Sequence, residues 1–286
     1  MIVDCHFHVD EKMLTLEKMI EGMDKNDITK TVLIASMSET MFELDSAFQD
    51  NLQHFFRFLI LNAPQIGLKI YDSLVKDGFL KLYGNSYKIF TKPRNDIVAT
   101  AIARFPERFL GWVAVNPLTR ESVEEVEFYL NNPRFIGVKA HPFMHEYSIK
   151  ALDPIAALCE SKGIPMIIHL SSEADSYKYL PENYPKLKLI YAHAGLPFWK
   201  KLWKYVKDQP NVFVDTSSDY LNQSIVKKAV ESLGFRKVLY GCDGPYGMKT
   251  FNNYDYSAKK SWIESLHIPD NQKEYILGKN FLGLID

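Results

Sequence analysis

Two histidines stand one residue apart near the start of the chain, in His6-Phe7-His8. On a strand, side chains two residues apart point the same way, so both imidazoles project together with Phe7 opposite. Two neutral imidazoles side by side make half of a tetrahedral metal site; a pair of hydrogen-bonded histidines is the plain alternative. Three further histidines end apolar runs. His141 follows Gly137-Val138-Lys139-Ala140, His169 follows Pro165-Met166-Ile167-Ile168, and His193 follows Leu189-Ile190-Tyr191-Ala192. His54, His145 and His267 lie elsewhere, so five of the eight histidines fall at expected strand ends. A metal accounts for such crowding, because it needs neutral imidazoles and repays the cost of ordering them.

Asp243 ends Val238-Leu239-Tyr240-Gly241-Cys242 and precedes Gly244-Pro245. It could ligate a metal, accept a proton from a metal-activated water, or do both in turn; it could equally be a turn aspartate. Lys139 and His141 share a strand face and form the candidate substrate-binding pair. The lysine is a point charge for a carboxylate, a bridge between two metals once carbamylated, or a salt-bridge partner of Asp215 or Glu173. Asp215-Thr216-Ser217-Ser218 supplies oxygens able to orient a histidine from behind.

The elements that must position these groups are legible in the pattern of apolar runs. Eight candidate strands occur: Ile2–His8, Thr31–Ser36, Phe109–Val115, Phe135–His141, Pro165–Leu170, Leu187–His193, Asn211–Asp215 and Val238–Asp243. Most are continuous apolar runs, as expected of parallel strands covered on both faces. Amphipathic helical patterns separate them at Leu14–Met23, Ser122–Leu130, Ile155–Cys159, Trp199–Val206 and Ile225–Leu233. Six of the seven steps between strand ends run from 22 to 29 residues, and one, from Ser36 to Val115, is 79. The short steps fit the repeating unit of a (β/α)8 TIM barrel, whose active site lies at the C-terminal ends of its strands. The long one implies a helical, aromatic insertion at Glu39–Pro93, containing Phe42, Phe48, Phe55, Phe56, Phe58, Tyr71, Phe79, Tyr83, Tyr87 and Phe90. Placed after the second strand, it emerges on the active-site face, as a lid or as a homodimer contact.

The 286 residues carry 34 basic and 35 acidic side chains, a net charge of −1, and 47% are apolar. That composition excludes disorder, collagen and coiled coil. The neutral balance argues against nucleic-acid and anionic-membrane partners and for a small-molecule substrate. Cys5, Cys159 and Cys242 form no paired or zinc-finger framework, which fits reduced thiols and a cytoplasmic location. The start, MIVDCHFHVD, has no basic region ahead of an apolar run, so no secretory leader is expected.

Taken together, Asp4-Cys5-His6-Phe7-His8, Gly137-Val138-Lys139-Ala140-His141-Pro142, Pro165 to His169, Tyr191-Ala192-His193-Ala194-Gly195 and Gly241-Cys242-Asp243-Gly244-Pro245 resemble the amidohydrolase-related family of the amidohydrolase superfamily. The branch is that of aminocarboxymuconate semialdehyde decarboxylase and pyrone dicarboxylate lactonase. Phe105-Pro106-Glu107-Arg108-Phe109-Leu110-Gly111 and the tail Ile276 to Leu284 resemble it too. The resemblance implies one divalent metal, most often zinc, held by His6, His8, His169 and Asp243, with His193 as a catalytic or substrate-orienting neighbour. The insertion departs from the family pattern, and the arginine that decarboxylases of the family often use to grip substrate has only Arg57 and Arg94 as candidates. The activity expected is metal-assisted hydrolysis of a small carboxylate-bearing ester, lactone or amide, with Asp243 as the proton carrier. The alternative is nonoxidative decarboxylation of an aromatic or unsaturated acid. A nuclease or phosphoesterase is disfavoured by Lys139 and by the neutral charge, and a noncatalytic binding protein would leave the metal-type cluster without purpose.

Overall fold

The computed structural model describes residues 1–41, 47–82, 84–248 and 251–286, and the side chains of all of these but 47–49. Phe42 and Tyr83 of the aromatic set fall outside the described residues, and the side chain of Phe48 outside the described side chains. Strands β1 (Ile2–Val9) and β2 (Ile28–Ala35) come first. Strands β3 (Val75–Lys76), β4 (Phe79–Leu82) and β5 (Asn85–Lys88) form a small antiparallel sheet within the insertion. Strands β6 (Phe109–Val115), β7 (Phe135–Ala140), β8 (Met166–Ile168), β9 (Leu189–Tyr191), β10 (Val212–Asp215) and β11 (Val238–Leu239) follow. The main sheet runs β1-β2-β6-β7-β8-β9-β10-β11 with parallel neighbours. Across the seam between β11 and β1, the Cys5 N–H donates to the Tyr240 carbonyl (3.0 Å), the Asp243 N–H to His6 (2.7 Å) and the His8 N–H to Gly244 (2.6 Å). The result is a nearly closed eight-stranded TIM barrel.

Helices α1 (Leu16–Lys25), α2 (Ala47–Asn62), α3 (Pro64–Ser73), α4 (Asn95–Arg104), α5 (Ser122–Leu130), α6 (Pro142–His145), α7 (Asp153–Lys162), α8 (Ser176–Asn183), α9 (Trp199–Val206), α10 (Gln223–Leu233), α11 (Tyr256–Glu264), α12 (Asp270–Glu274) and α13 (Asn280–Ile285) surround the sheet or belong to the insertion. Their ends follow local chemistry. Thr15 caps α1 by accepting from the Lys18 N–H, and Asn222 caps α10 by accepting from Ile225. Gly163, in the left-handed region at φ 67°, stops α7. No helix among the described residues is long and apolar enough to cross a membrane.

Two expectations need amendment. The last strands end before their apolar runs do, with His169, His193 and Asp243 beyond them, although the His169 N–H still donates to Ala140 and the Asp243 N–H to His6. His193 (φ 57°) and Asp243 (φ 62°) are left-handed, which no strand permits. The insertion is helical only in its first half. Asp77 (φ 55°) and Gly78 (φ 77°) form the two-residue turn between β3 and β4, and Asp-Gly with both residues left-handed is a strong hairpin signal. The inserted segment is anchored at both flanks of the barrel mouth. The Glu39 N–H donates to Lys88 and the Phe90 N–H to Met37, while buried Arg57 reaches across to the carbonyl of Tyr220 at 2.7 Å.

Candidate functional site

The chain turns β1 so that His6 and His8 both face the barrel mouth, and the seam brings Asp243 against them. Asp243 Oδ1 lies 3.4 Å from His6 Nε2 and 3.5 Å from His8 Nε2. Two ligand atoms bound at 2.0–2.1 Å to one tetrahedral cation stand roughly 3.3 Å apart. The two imidazole nitrogens and the carboxylate oxygen therefore have the chemistry and spacing of a divalent-metal donor set, and His6, His8 and Asp243 form one of two such clusters among the described residues.

His6 is held in the tautomer that this role requires. Asp215 Oδ2 lies 2.8 Å from His6 Nδ1, so the carboxylate takes the proton on Nδ1 and leaves the lone pair of Nε2 toward Asp243. Asp215 Oδ1 accepts the backbone N–H groups of His193 (2.8 Å) and Ser217 (3.0 Å) and the Ser217 hydroxyl (2.5 Å). The second cluster, His6, His193 and Asp215, is thus already satisfied internally. On the far side of His6, Asp4 Oδ1 accepts from the N–H groups of His6 (3.1 Å) and Cys242 (3.0 Å), fastening β1 to the segment that carries Asp243.

The other histidines make a chain along the cavity rather than a ring around one point. His193 Nδ1 is 3.9 Å from Asp243 Oδ2, and its Nε2 is 3.0 Å from His169 Nδ1. His169 Nε2 lies 2.7 Å from the Tyr71 hydroxyl, which also meets the Leu170 carbonyl at 2.7 Å. The structure therefore brings His6, His8 and Asp243 together and places His169 with His193 and Tyr71 instead. His141 stacks on His169 at 4.1 Å between centroids, and its Nδ1 caps α6 by accepting from Met144. Tyr71 is the site residue that the sequence did not disclose. It belongs to α3 of the insertion, and its sole local signal is its place among the insertion's aromatics.

Lys139 is fully buried, with Nζ 3.3 Å from His6 Nε2. Glu173, one suggested partner, is instead engaged by Ser148 and the Ile149 N–H. Burial brings the ammonium down from 10.5 to about 8, against the opposing pull of Asp215 and Asp243. Burial first, then the Lys139 charge, holds His6 and His169 well below the usual histidine range and takes His8 down to about 3. His193 and His141 are lowered as well, by burial and then by the neighbouring His169. All five rings are thereby kept neutral, the form a metal binds. Burial pushes Asp243 well above the usual carboxylate range.

Above these groups lies a cavity of about 190 Å³. His8, His141, His169, His193 and Asp243 form its polar floor; Phe56, Tyr71, Leu74, Leu80 and Leu82 of the insertion, with Phe143 and Tyr246, form apolar walls. No arginine or lysine lines it among the described residues. Arg57 is spent on the carbonyls of Tyr220 and Asp219, and exposed Arg94 pairs with Asp96.

Residues 3–280 match the family model described as amidohydrolase. The chain belongs to the amidohydrolase family. No curated protein matches it in sequence. Solved structures of similar fold include a 4-oxalomesaconate hydratase from Rhodopseudomonas palustris, with TM-score 0.66 and 15% identity over 100% of this chain and 95% of that one. A 5-carboxyvanillate decarboxylase from Sphingomonas paucimobilis has TM-score 0.58 and 16% identity over 99% and 98%. A dihydroxybenzoic acid decarboxylase from Polaromonas, with manganese and 2-nitroresorcinol bound, has TM-score 0.57 and 17% identity over 99% and 96%. The amidohydrolase family is an enzyme family, and one of these structures of similar fold holds manganese.

Proposed function

We propose that the protein is a metal-dependent hydrolase that opens a small ester, lactone or amide with a largely apolar body. The observation that carries this reading is the position of Asp243. One oxygen is shared between His6 and His8, while the side chain remains 15% exposed at the cavity floor. A divalent cation, zinc by our reading, held by His6, His8 and Asp243 would polarise a carbonyl and make water acidic enough to attack near neutral pH. Asp243 is placed to accept the proton of the attacking water and return it to the leaving group. His193 lines the same space with Nδ1 on Ser217 and Nε2 on His169, and would orient the scissile carbonyl by exchanging one of those partners for it. The insertion's apolar wall keeps other water out. Lys139, enclosed beside His6, acts through the charge balance of the histidines rather than by gripping substrate; a substrate carboxylate would lie at the polar floor, against His141 and His169.

A second reading is nonoxidative decarboxylation of an aromatic acid. Phe56, Tyr71, Phe143 and Tyr246 give the cavity walls suited to a planar ring, and two of the similar structures are decarboxylases of such acids by name. One panel of aromatic and unsaturated acids, with their esters and lactones, separates the two. Ester or lactone opening without CO2 is expected. CO2 release without ring opening reverses the assignment. Asp243→Asn should lower turnover by orders of magnitude in either case, and unchanged turnover in that variant refutes both readings.

A further inference from the structure

We propose that the insertion carries an apolar subsite for an alkyl tail of the substrate, adjoining the cavity over His8 and Asp243. The inference rests on that cavity being the reaction site and extends it to a substrate class: an amphiphile with a reactive polar head and a hydrocarbon chain. A second cavity, of about 120 Å³, is walled by Leu52, Phe55, Phe56, Ile70, Leu74 and Leu82, together with Gln53 and Tyr220. Phe56, Leu74 and Leu82, with Gln53 and Tyr220, also wall the first cavity, so a partition of side chains is common to the two spaces. Chemistry is segregated along the pair. The imidazoles and Asp243 lie at one end, and the described lining of the second cavity contains no charged residue.

A hydrocarbon chain that reaches from the first space into the second along their shared, largely apolar wall gains roughly 0.8 kcal/mol for each methylene removed from water. The second is smaller than the roughly 150 Å³ that admits benzene, which favours a narrow chain over a second ring. Two residues of its lining, Leu52 and Phe55, are 40% and 56% exposed.

The test is calorimetric binding of straight-chain carboxylates, acetate to decanoate, to the purified metal-loaded protein. Affinity should rise about fourfold per added methylene until the subsite is full. Ile70 lines only the second cavity. Ile70→Trp should end the rise at a shorter chain, and Ile70→Ala should let it run at least as far as in the wild type. If the tryptophan variant does not fold, Ile70→Phe serves in its place and should also shorten the series. Affinity independent of chain length, or one profile shared by the wild type and these variants, overturns the subsite. Binding needs no turnover. Tight long-chain binding without ester, lactone or amide opening keeps the subsite and removes the hydrolase reading, whereas turnover with flat binding does the reverse.

Discussion

Asp215 makes no contact with the cavity, yet replacing it should weaken metal binding at the proposed site. In Asp215→Asn the new amide must choose which way to face. Its carbonyl can stay on the Oδ1 side, where it serves the His193 N–H, the Ser217 N–H and the Ser217 hydroxyl, or on the Oδ2 side, where it serves only His6 Nδ1. Each buried N–H left unpaired costs about 1–3 kcal/mol, so the carbonyl keeps the two backbone donors and the NH2 turns to His6. That NH2 can only donate, so His6 must carry its proton on Nε2, the nitrogen facing Asp243 and the proposed metal position. Losing an orienting partner of this kind lowers metal affinity by about 10–100-fold, equal to roughly 1.4–2.7 kcal/mol. The fold should hold, because the backbone contacts survive; Asp215→Ala, which abandons them, should lose both stability and metal. Competition against a chromogenic chelator reads the affinity, and 15N shifts of the metal-free histidines read the tautomer. Unchanged affinity with His6 still protonated on Nδ1 would show that the chain of inference from Asp215 to the metal is wrong.

Other outcomes follow from the same geometry. His8→Ala should lose metal and activity together, as should His6→Ala, and elemental analysis beside an activity assay checks this. His169→Ala should retain metal if the placement of that ring with His193 and Tyr71 is its working one; metal loss would restore it as a ligand. Tyr71→Phe keeps the stack on Phe143 at 4.2 Å but deprives His169 and the Leu170 carbonyl of a partner. Unfolding free energy should drop by about 1–3 kcal/mol, and urea melts measure it. In metal-free protein, the depressed His8 pKa makes the unfolded chain bind the extra proton. Its contribution to stability is full above pH 6.5 and is lost as the pH falls toward about 3, at up to about 1.4 kcal/mol per pH unit. Urea midpoints of wild type and His8→Gln across that range should converge at low pH; parallel curves contradict the assignment.

Much of this molecule is written locally. Apolar runs such as Met166–Ile168 and Leu189–Tyr191 encode buried strands, the repeat of their spacing encodes the barrel, and the polar residue closing each run marks the rim where chemistry gathers. His6, His8 and Asp243 were legible for that reason: strand periodicity and barrel closure suffice to bring them together. The Asp77-Gly78 turn was equally local and was hidden only by the surrounding aromatics. What the order of residues could not disclose depends on contacts between distant segments. The His6–Asp215 pair spans 209 positions and the Tyr71–His169 pair 98, and no periodicity relates such residues. Whether His169 stands with His8 or with Tyr71, and whether Lys139 faces substrate or His6, is set by how side chains pack once the barrel has closed and the insertion has settled over it. A hydrogen-bonding group buried there takes whichever partner packing leaves within reach, so the tertiary structure alone made those choices.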